Sequence, residues 1–205
     1  MVKNTNGIRT ICVYCGSRMG SNPAYREAAR VLGKAMAEHD IALVYGGGTR
    51  GIMGAVADAV LAHGGKVIGI IPEFLMDKEA TRQELGQLTE LVVTRDMHER
   101  KHMMFERADA FVALPGGIGT LEEIVEIMTW AQLGRHAKPM VFGNVDGFWN
   151  PLNTLISHMS DEGFVHTAHL VQPLVIDTAS AILPAIIEAA GNTVANGDKE
   201  VISRL

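Results

Sequence analysis

Apolar positions along the chain fall into short, nearly unbroken runs, separated by longer stretches in which they recur every three or four residues. The runs are TICVYCG (10–16), IALVYGG (41–47), KVIGIIP (66–72), ELVVT (90–94), AFVALPG (110–116), PMVFG (139–143) and PLVI (173–176). Segments apolar at successive positions suit strands covered on both faces. The stretches between them predict helices from Pro23 to about His39, Ile52 to His63, Met97 to Ala108, Thr120 to Leu133, Pro151 to Met159 and Ala179 to Ala190. Asn22 before Pro23 supplies a cap and a first turn, and Asp96 with Glu99 has capping-box spacing. Strands alternating with helices predict one open α/β sandwich on a mostly parallel sheet, spanning residues 1–205 as a single domain. The tail after Gly191, NTVANGDKEVISRL, is polar at first and reads as loosely held, although its final apolar residues are able to dock.

Composition narrows this picture. Aromatic residues make up only 5% of a chain that is 47% hydrophobic, so the core is built mainly from Ala, Val, Ile, Leu and Met. A formal charge of -5 gives no polyelectrolyte footprint and points away from nucleic acid. No stretch approaches 18 uninterrupted apolar residues, so no membrane span is expected and a cytoplasmic protein is the default. Cys12 and Cys15 are the only cysteines. Without a second ligand pair they make no zinc knuckle, and they read as structural or incidental thiols, with a redox-active CxxC as the alternative.

Glycines cluster where strands end. YGGGTRGIMG (45–54) follows the second run and enters a helix, and PGGIGT (115–120) does the same after the fifth. Such turns allow close ligand approach, and the following helix start offers unpaired N–H groups to an anion. A phosphorylated ligand, tight packing turns and another anion all fit. Neither turn is a dinucleotide fingerprint, and GGGTRG lacks the Lys and Ser/Thr of a P-loop. That weakens the reading as an NAD-dependent oxidoreductase.

The charged candidates lie beside these turns. Glu122 and Glu126 are four apart, and Glu122 reads as an ordinary first-turn acid; Glu123 turns toward the side carrying Ile127, where a cleft fits, although on spacing alone an ordinary structural glutamate is the favoured reading. Arg100 and Lys101 lie early in a helix, where the dipole gives basic groups no support. A ligand, a carboxylate partner or a solvated basic face each explains them. His98 and His102 have metal-ligand spacing, but no HExxH pattern or third ligand accompanies them; His166 and His169 add no more, and no metal is expected. No GxSxG is present, which makes acyl transfer weak.

Taken together, YCGS, GGGTRGIMG, MHERK and PGGIGTLEE resemble the LOG (Lonely Guy) family of cytokinin riboside 5'-monophosphate phosphoribohydrolases, often labelled lysine decarboxylases. The resemblance covers roughly residues 9 to 190. It implies an α/β, Rossmann-like three-layer sandwich with a mostly parallel central sheet, commonly a homodimer, with no redox cofactor. The implied reaction is hydrolysis of the N-glycosidic bond of AMP or an N6-substituted AMP to the free base and ribose 5-phosphate. Glu123 and Arg100 match the catalytic pair. Gly116, Gly117, Gly119 and Thr120 would cradle the 5'-phosphate, and Gly46, Gly47 and Gly48 would supply further turns around it. Glu79 resembles a base-side residue, and Lys101, Thr129 and Ser17 complete the implied substrate contacts. Met103, Met104 and Met128 read as packing, with a lining for an apolar N6 group as the alternative. A nucleotide-binding protein without catalysis is the runner-up.

Overall fold

The computed structural model describes residues 5–79, 85–165 and 173–202, leaving out the side chains of 77, 79 and 193–202. Seven parallel strands form one sheet: β1 (Thr10–Tyr14), β2 (Ala42–Tyr45), β3 (Val67–Pro72), β4 (Glu90–Thr94), β5 (Ala110–Ala113), β6 (Met140–Gly143) and β7 (Leu174–Ile176). Their order is β4-β3-β2-β1-β5-β6-β7. The chain therefore builds outward from β1 in one direction and then, from β5, in the other. The crevice where the order reverses, between the ends of β1 and β5, is where open α/β sheets bind ligands.

Alternation along the central strands divides the core into two. Ile11 and Val13 of β1 pack with α1 (Pro23–Glu38), α2 (Gly51–Ala62) and α7 (Ala179–Ile202). Cys12 and Tyr14 face the other way, onto α4 (Met97–Arg107) and α5 (Ile118–Gln132). Helices α3 (Met76–Glu79) and α6 (Asn150–Asp161) and two 3-10 turns, Glu73–Leu75 and Val145–Gly147, complete the order. Three layers follow, as expected. The strands at the two edges differ from expectation: Val93 of β4 and Val175 of β7 are about half exposed, because each has a neighbour on one side only.

Helix ends follow local chemistry. Asn22 Oδ1 accepts from the Ala24 N–H at 2.9 Å and caps α1. Asp96 Oδ1 accepts from the Glu99 N–H at 2.9 Å and caps α4, while Glu99 accepts from the Arg95 N–H rather than from that of the cap residue. Three helices are longer than the sequence predicts, α6 by one residue at its start and two at its end. α5 begins at Ile118 instead of Thr120, which moves Glu122 and Glu123 into the second turn. α7 runs through Gly191 to Ile202, so the backbone of most of the tail is helical. A single glycine costs a helix only about 1 kcal/mol and need not end one whose earlier turns are anchored in the core.

In the α4–α5 layer, against Phe105 and Phe111, His136 Nε2 meets the Ile127 carbonyl at 2.9 Å and its Nδ1 accepts from the Lys138 N–H. Burial, opposed by the Ile127 bond and aided by the Lys138 ammonium, lowers the imidazole pKa below its ordinary value. The neutral ring is thus the form built into the fold. As pH falls below the ordinary imidazole value, the unfolded chain takes up this proton first, and stability drops until the depressed native value is reached. We expect the melting temperature to fall over that window by less in His136→Gln than in the parent, read by paired thermal melts.

Candidate active site

The turn after β5 and the turn after β1 meet at the crevice. The Gly16 N–H donates to the Pro115 carbonyl at 3.1 Å, and the Met53 N–H donates to the Gly16 carbonyl at 3.2 Å. Above this junction opens a cleft of about 570 Å³, a size typical of small-molecule sites. Gly117 is the N-cap residue of α5 and no side chain caps that helix, so the first N–H groups of α5 are presented at the cleft. The glycines of this turn serve different purposes. A side chain at Gly116 would collide with Thr120 and with the Gly16 backbone, whereas Gly117 and Gly119 face open space.

Arg100 enters the cleft from α4. It is 5% exposed, its Nη2 donates to the Gly46 carbonyl at 3.1 Å, and its buried Nε has no hydrogen-bond partner. Gly46 permits this approach, because a Cβ there would lie on the guanidinium. Glu123 lines the same cleft from α5, half-buried. Its charge also reaches β1, where burial first and Glu123 among the lesser causes raise the thiols of Cys12 and Cys15 and the phenol of Tyr14. The thiols are free and stay protonated, which suits the structural role expected of them.

Of the expected site residues, Arg100, Glu123, Ser17, Gly116, Gly117, Gly119 and Thr120 converge on the cleft. Gly46, Gly47 and Gly48 stand outside its lining: Gly46 makes room for Arg100, and Gly47 takes a left-handed φ of 77° against Ile71. Gly51, with φ of 64°, packs its α-carbon on the backbone of Ser17 and Arg18. This second glycine turn thus builds the wall rather than the floor. Lys101 is turned to Glu122 and Glu126. Thr129 lies in a separate groove between α5 and α6, its hydroxyl donating to the Val125 carbonyl at 2.8 Å. Glu79 ends α3, and its side chain is outside the described residues; His166 and His169 are outside them altogether.

Several lining residues are not singled out as site residues by the sequence. Met19, Met53 and Met97 line the cleft, whereas Met104 is core and Met128 faces the α5–α6 groove. Tyr25 and Phe148 form one wall as an edge-to-face pair with centroids 5.4 Å apart. Phe148 is placed by its loop, in which the Trp149 N–H donates to the Asn144 side chain at 2.8 Å and the indole to the Ala113 carbonyl at 3.0 Å. Among the described residues no group of three or more His, Cys, Asp or Glu is arranged to hold a metal, and no helix is long and apolar enough to cross a membrane.

Comparison with known proteins adds chemistry to this geometry. Residues 53–186 match a sequence family described as "Possible lysine decarboxylase". A protein of Oryza sativa subsp. japonica described as a "Probable cytokinin riboside 5'-monophosphate phosphoribohydrolase" is 48% identical over 89% of this chain and 78% of its own length. A cytokinin riboside 5'-monophosphate phosphoribohydrolase of Arabidopsis thaliana is 51% identical over 80% of this chain and 75% of its own. Among solved structures, the molybdenum cofactor carrier protein of Chlamydomonas reinhardtii superimposes with a TM-score of 0.66 at 20% identity, covering 89% of this chain and 98% of that one. That last likeness is one of fold.

Proposed function

Because the chain belongs to the LOG family of cytokinin riboside 5'-monophosphate phosphoribohydrolases, we infer that it hydrolyses the N-glycosidic bond of AMP or an N6-substituted AMP. Water adds at C1', the base leaves with a proton, and ribose 5-phosphate is the second product. The observation that carries this assignment to the cleft is the convergence of Glu123, Arg100 and an open, uncapped helix start in one cavity.

The proposed site works as follows. The 5'-phosphate sits at the start of α5, on the N–H groups beyond Gly117 and in the space above Gly117 and Gly119, with Ser17 and Thr120 at its edge. The ribose then lies over Glu123 and Arg100. Cleavage develops positive charge on the sugar, and the Glu123 carboxylate stabilises it and accepts a proton from the attacking water. From the second turn of α5 the helix dipole gives this carboxylate little help. Arg100 and Arg18 line the same cleft as cations, and Arg100 is the one assigned to Glu123. A guanidinium stays charged at neutral pH, so Arg100 binds and orients rather than donating a proton. Glu79 is assigned to the base side from the family resemblance alone.

The family's decarboxylase description does not fit this cleft. Decarboxylation of an amino acid needs an electron sink such as pyridoxal phosphate held as an imine by a lysine. No lysine lines the cleft among the described residues.

The assignment is tested by chromatography of AMP and N6-isopentenyl-AMP incubated with the purified protein, beside the same nucleosides without phosphate. Free base and ribose 5-phosphate from the monophosphates alone support it; intact nucleotides despite measured binding would move the protein to a non-catalytic role.

We also propose a homodimer. Beside the cleft, Ile118, Val125 and Leu155 expose apolar surface along the α5–α6 groove, and Ile118 borders both cavities. A contiguous apolar groove of this kind is covered in most soluble proteins, and a second copy is the occupant that the family resemblance favours. Leu155→Glu is expected to shift the sedimentation coefficient from dimer to monomer; an unchanged value in parent and variant would remove this face from consideration.

A further inference from the structure

Arg100 and Glu123 are each one residue away from a member of a single ion-pair cluster. Lys101 Nζ donates to Glu122 Oε1 at 2.6 Å and to Glu126 Oε1 at 3.1 Å. The lysine side chain is only 12% exposed, against 52% for Glu122 and 27% for Glu126. Burial alone would lower the ammonium pKa, but the bonds to the two carboxylates outweigh it and raise the value above that of an ordinary lysine. Lys101 is therefore a fixed cation, and both of its partners belong to the protein.

The position of this cluster gives it leverage. Away from the cleft, α4 and α5 are joined by an edge-to-face contact between Phe105 and Trp130, with centroids 4.8 Å apart. Toward the cleft, Lys101 bridges the two helices through its ion pairs with Glu122 and Glu126. Consecutive helical residues differ by about 100° in direction. Arg100 can thus reach Gly46 while Lys101 reaches α5, and Glu122 can meet Lys101 while Glu123 lines the cleft.

We propose that Lys101 is a positioning residue, which ties α4 to α5 at the cleft and thereby sets the distance and charge balance between Arg100 and Glu123. The proposal rests on the phosphoribohydrolase reading and departs from the family resemblance, in which Lys101 touches substrate. It also has an electrostatic side. The ionisable groups around Glu123 are Cys12, Tyr14 and Cys15 from β1 and its turn, Arg18 from the same turn, Tyr25 from α1 and Arg100 from α4 across the cleft, with the Lys101–Glu122–Glu126 cluster one residue away. The thiols and the Tyr14 phenol stay neutral. Removing Lys101 leaves two uncompensated carboxylates beside Glu123, four apart on one helix face, where like charges repel.

The test compares Lys101→Met, Lys101→Arg and the parent by steady-state kinetics on AMP across the acid limb, with amide hydrogen exchange on the same samples. Lys101→Met is expected to lower kcat by about 10- to 100-fold with KM changed less than about twofold. Its acid limb moves to higher pH, and exchange quickens over residues 118–126. Lys101→Arg restores most of kcat, and adding Glu126→Gln to Lys101→Met returns the limb part of the way. A rise in KM with kcat intact would make Lys101 a substrate contact and overturn the proposal, as would unchanged exchange over 118–126. If the parent releases no base from AMP, the phosphoribohydrolase reading fails instead, and the exchange arm still decides whether Lys101 holds α5.

Discussion

Glu123→Gln is expected to slow base release by two to three orders of magnitude, a loss of roughly 3–4 kcal/mol of transition-state stabilisation. The amide matches the carboxylate in shape, so α5, the cleft and the glycine turn should stand unchanged. What disappears is a negative charge, half-buried in a cleft with Arg100, at the place where the sugar becomes positive. The phosphate site is built from other residues. KM for AMP should therefore stay within a few-fold of the parent, and single-turnover measurements should show the whole loss in the chemical step. A rise in KM at constant kcat would mean that Glu123 holds the ground-state ligand and does not act on the reaction.

Gly46→Ala should have the second-largest effect, although Gly46 does not line the cleft. The added methyl lands on the Arg100 guanidinium, with Nη2 and Cζ as its nearest neighbours. A guanidinium at the end of a flexible side chain is easier to displace than backbone, so the fold should absorb the change while Arg100 loses its place. It would also strain the 3.1 Å bond to the Gly46 carbonyl that fixes the guanidinium. Misplacing a catalytic group by about 1 Å costs on the order of 100-fold. We expect kcat to fall by about that factor, with a melting temperature close to the parent's. Full activity in a folded Gly46→Ala chain would show that Arg100 does not need the position it occupies here.

Much of this arrangement is legible in the sequence, for reasons that also set the limits. All seven strands announce themselves as apolar runs, because a strand buried on both faces has no polar side to show. The same rule hides which strands lie at the edges: ELVVT and PLVI read like the others, yet β4 and β7 are half exposed. The glycine turns are visible as turns, but only the fold shows that Gly46 clears an arginine, Gly116 clears a threonine and Gly117 clears nothing. Helical spacing alone favours a structural Glu123, and it is the fold that shows this residue lining the cleft. Spacing cannot say what lies opposite a neighbouring face, which is why the family resemblance places Lys101 and Thr129 on substrate while the structure gives them protein partners. Tyr25 and Phe148 are paired by tertiary contact across a long stretch of chain, and neither belongs to a motif.

The empty space above Gly117 and Gly119 has a consequence for how this protein would drift under selection. Alanine at either position meets no neighbour within 4 Å, and within the helix at 119 it would strengthen the backbone by up to about 1 kcal/mol. A library sorted only for soluble, heat-resistant chains should therefore accumulate alanine at 119 and tolerate it at 117, while keeping glycine at 116. The same library sorted for turnover should hold glycine at all three. The gap between those two outcomes would mark, residue by residue, where the molecule has given up stability to leave room for its ligand.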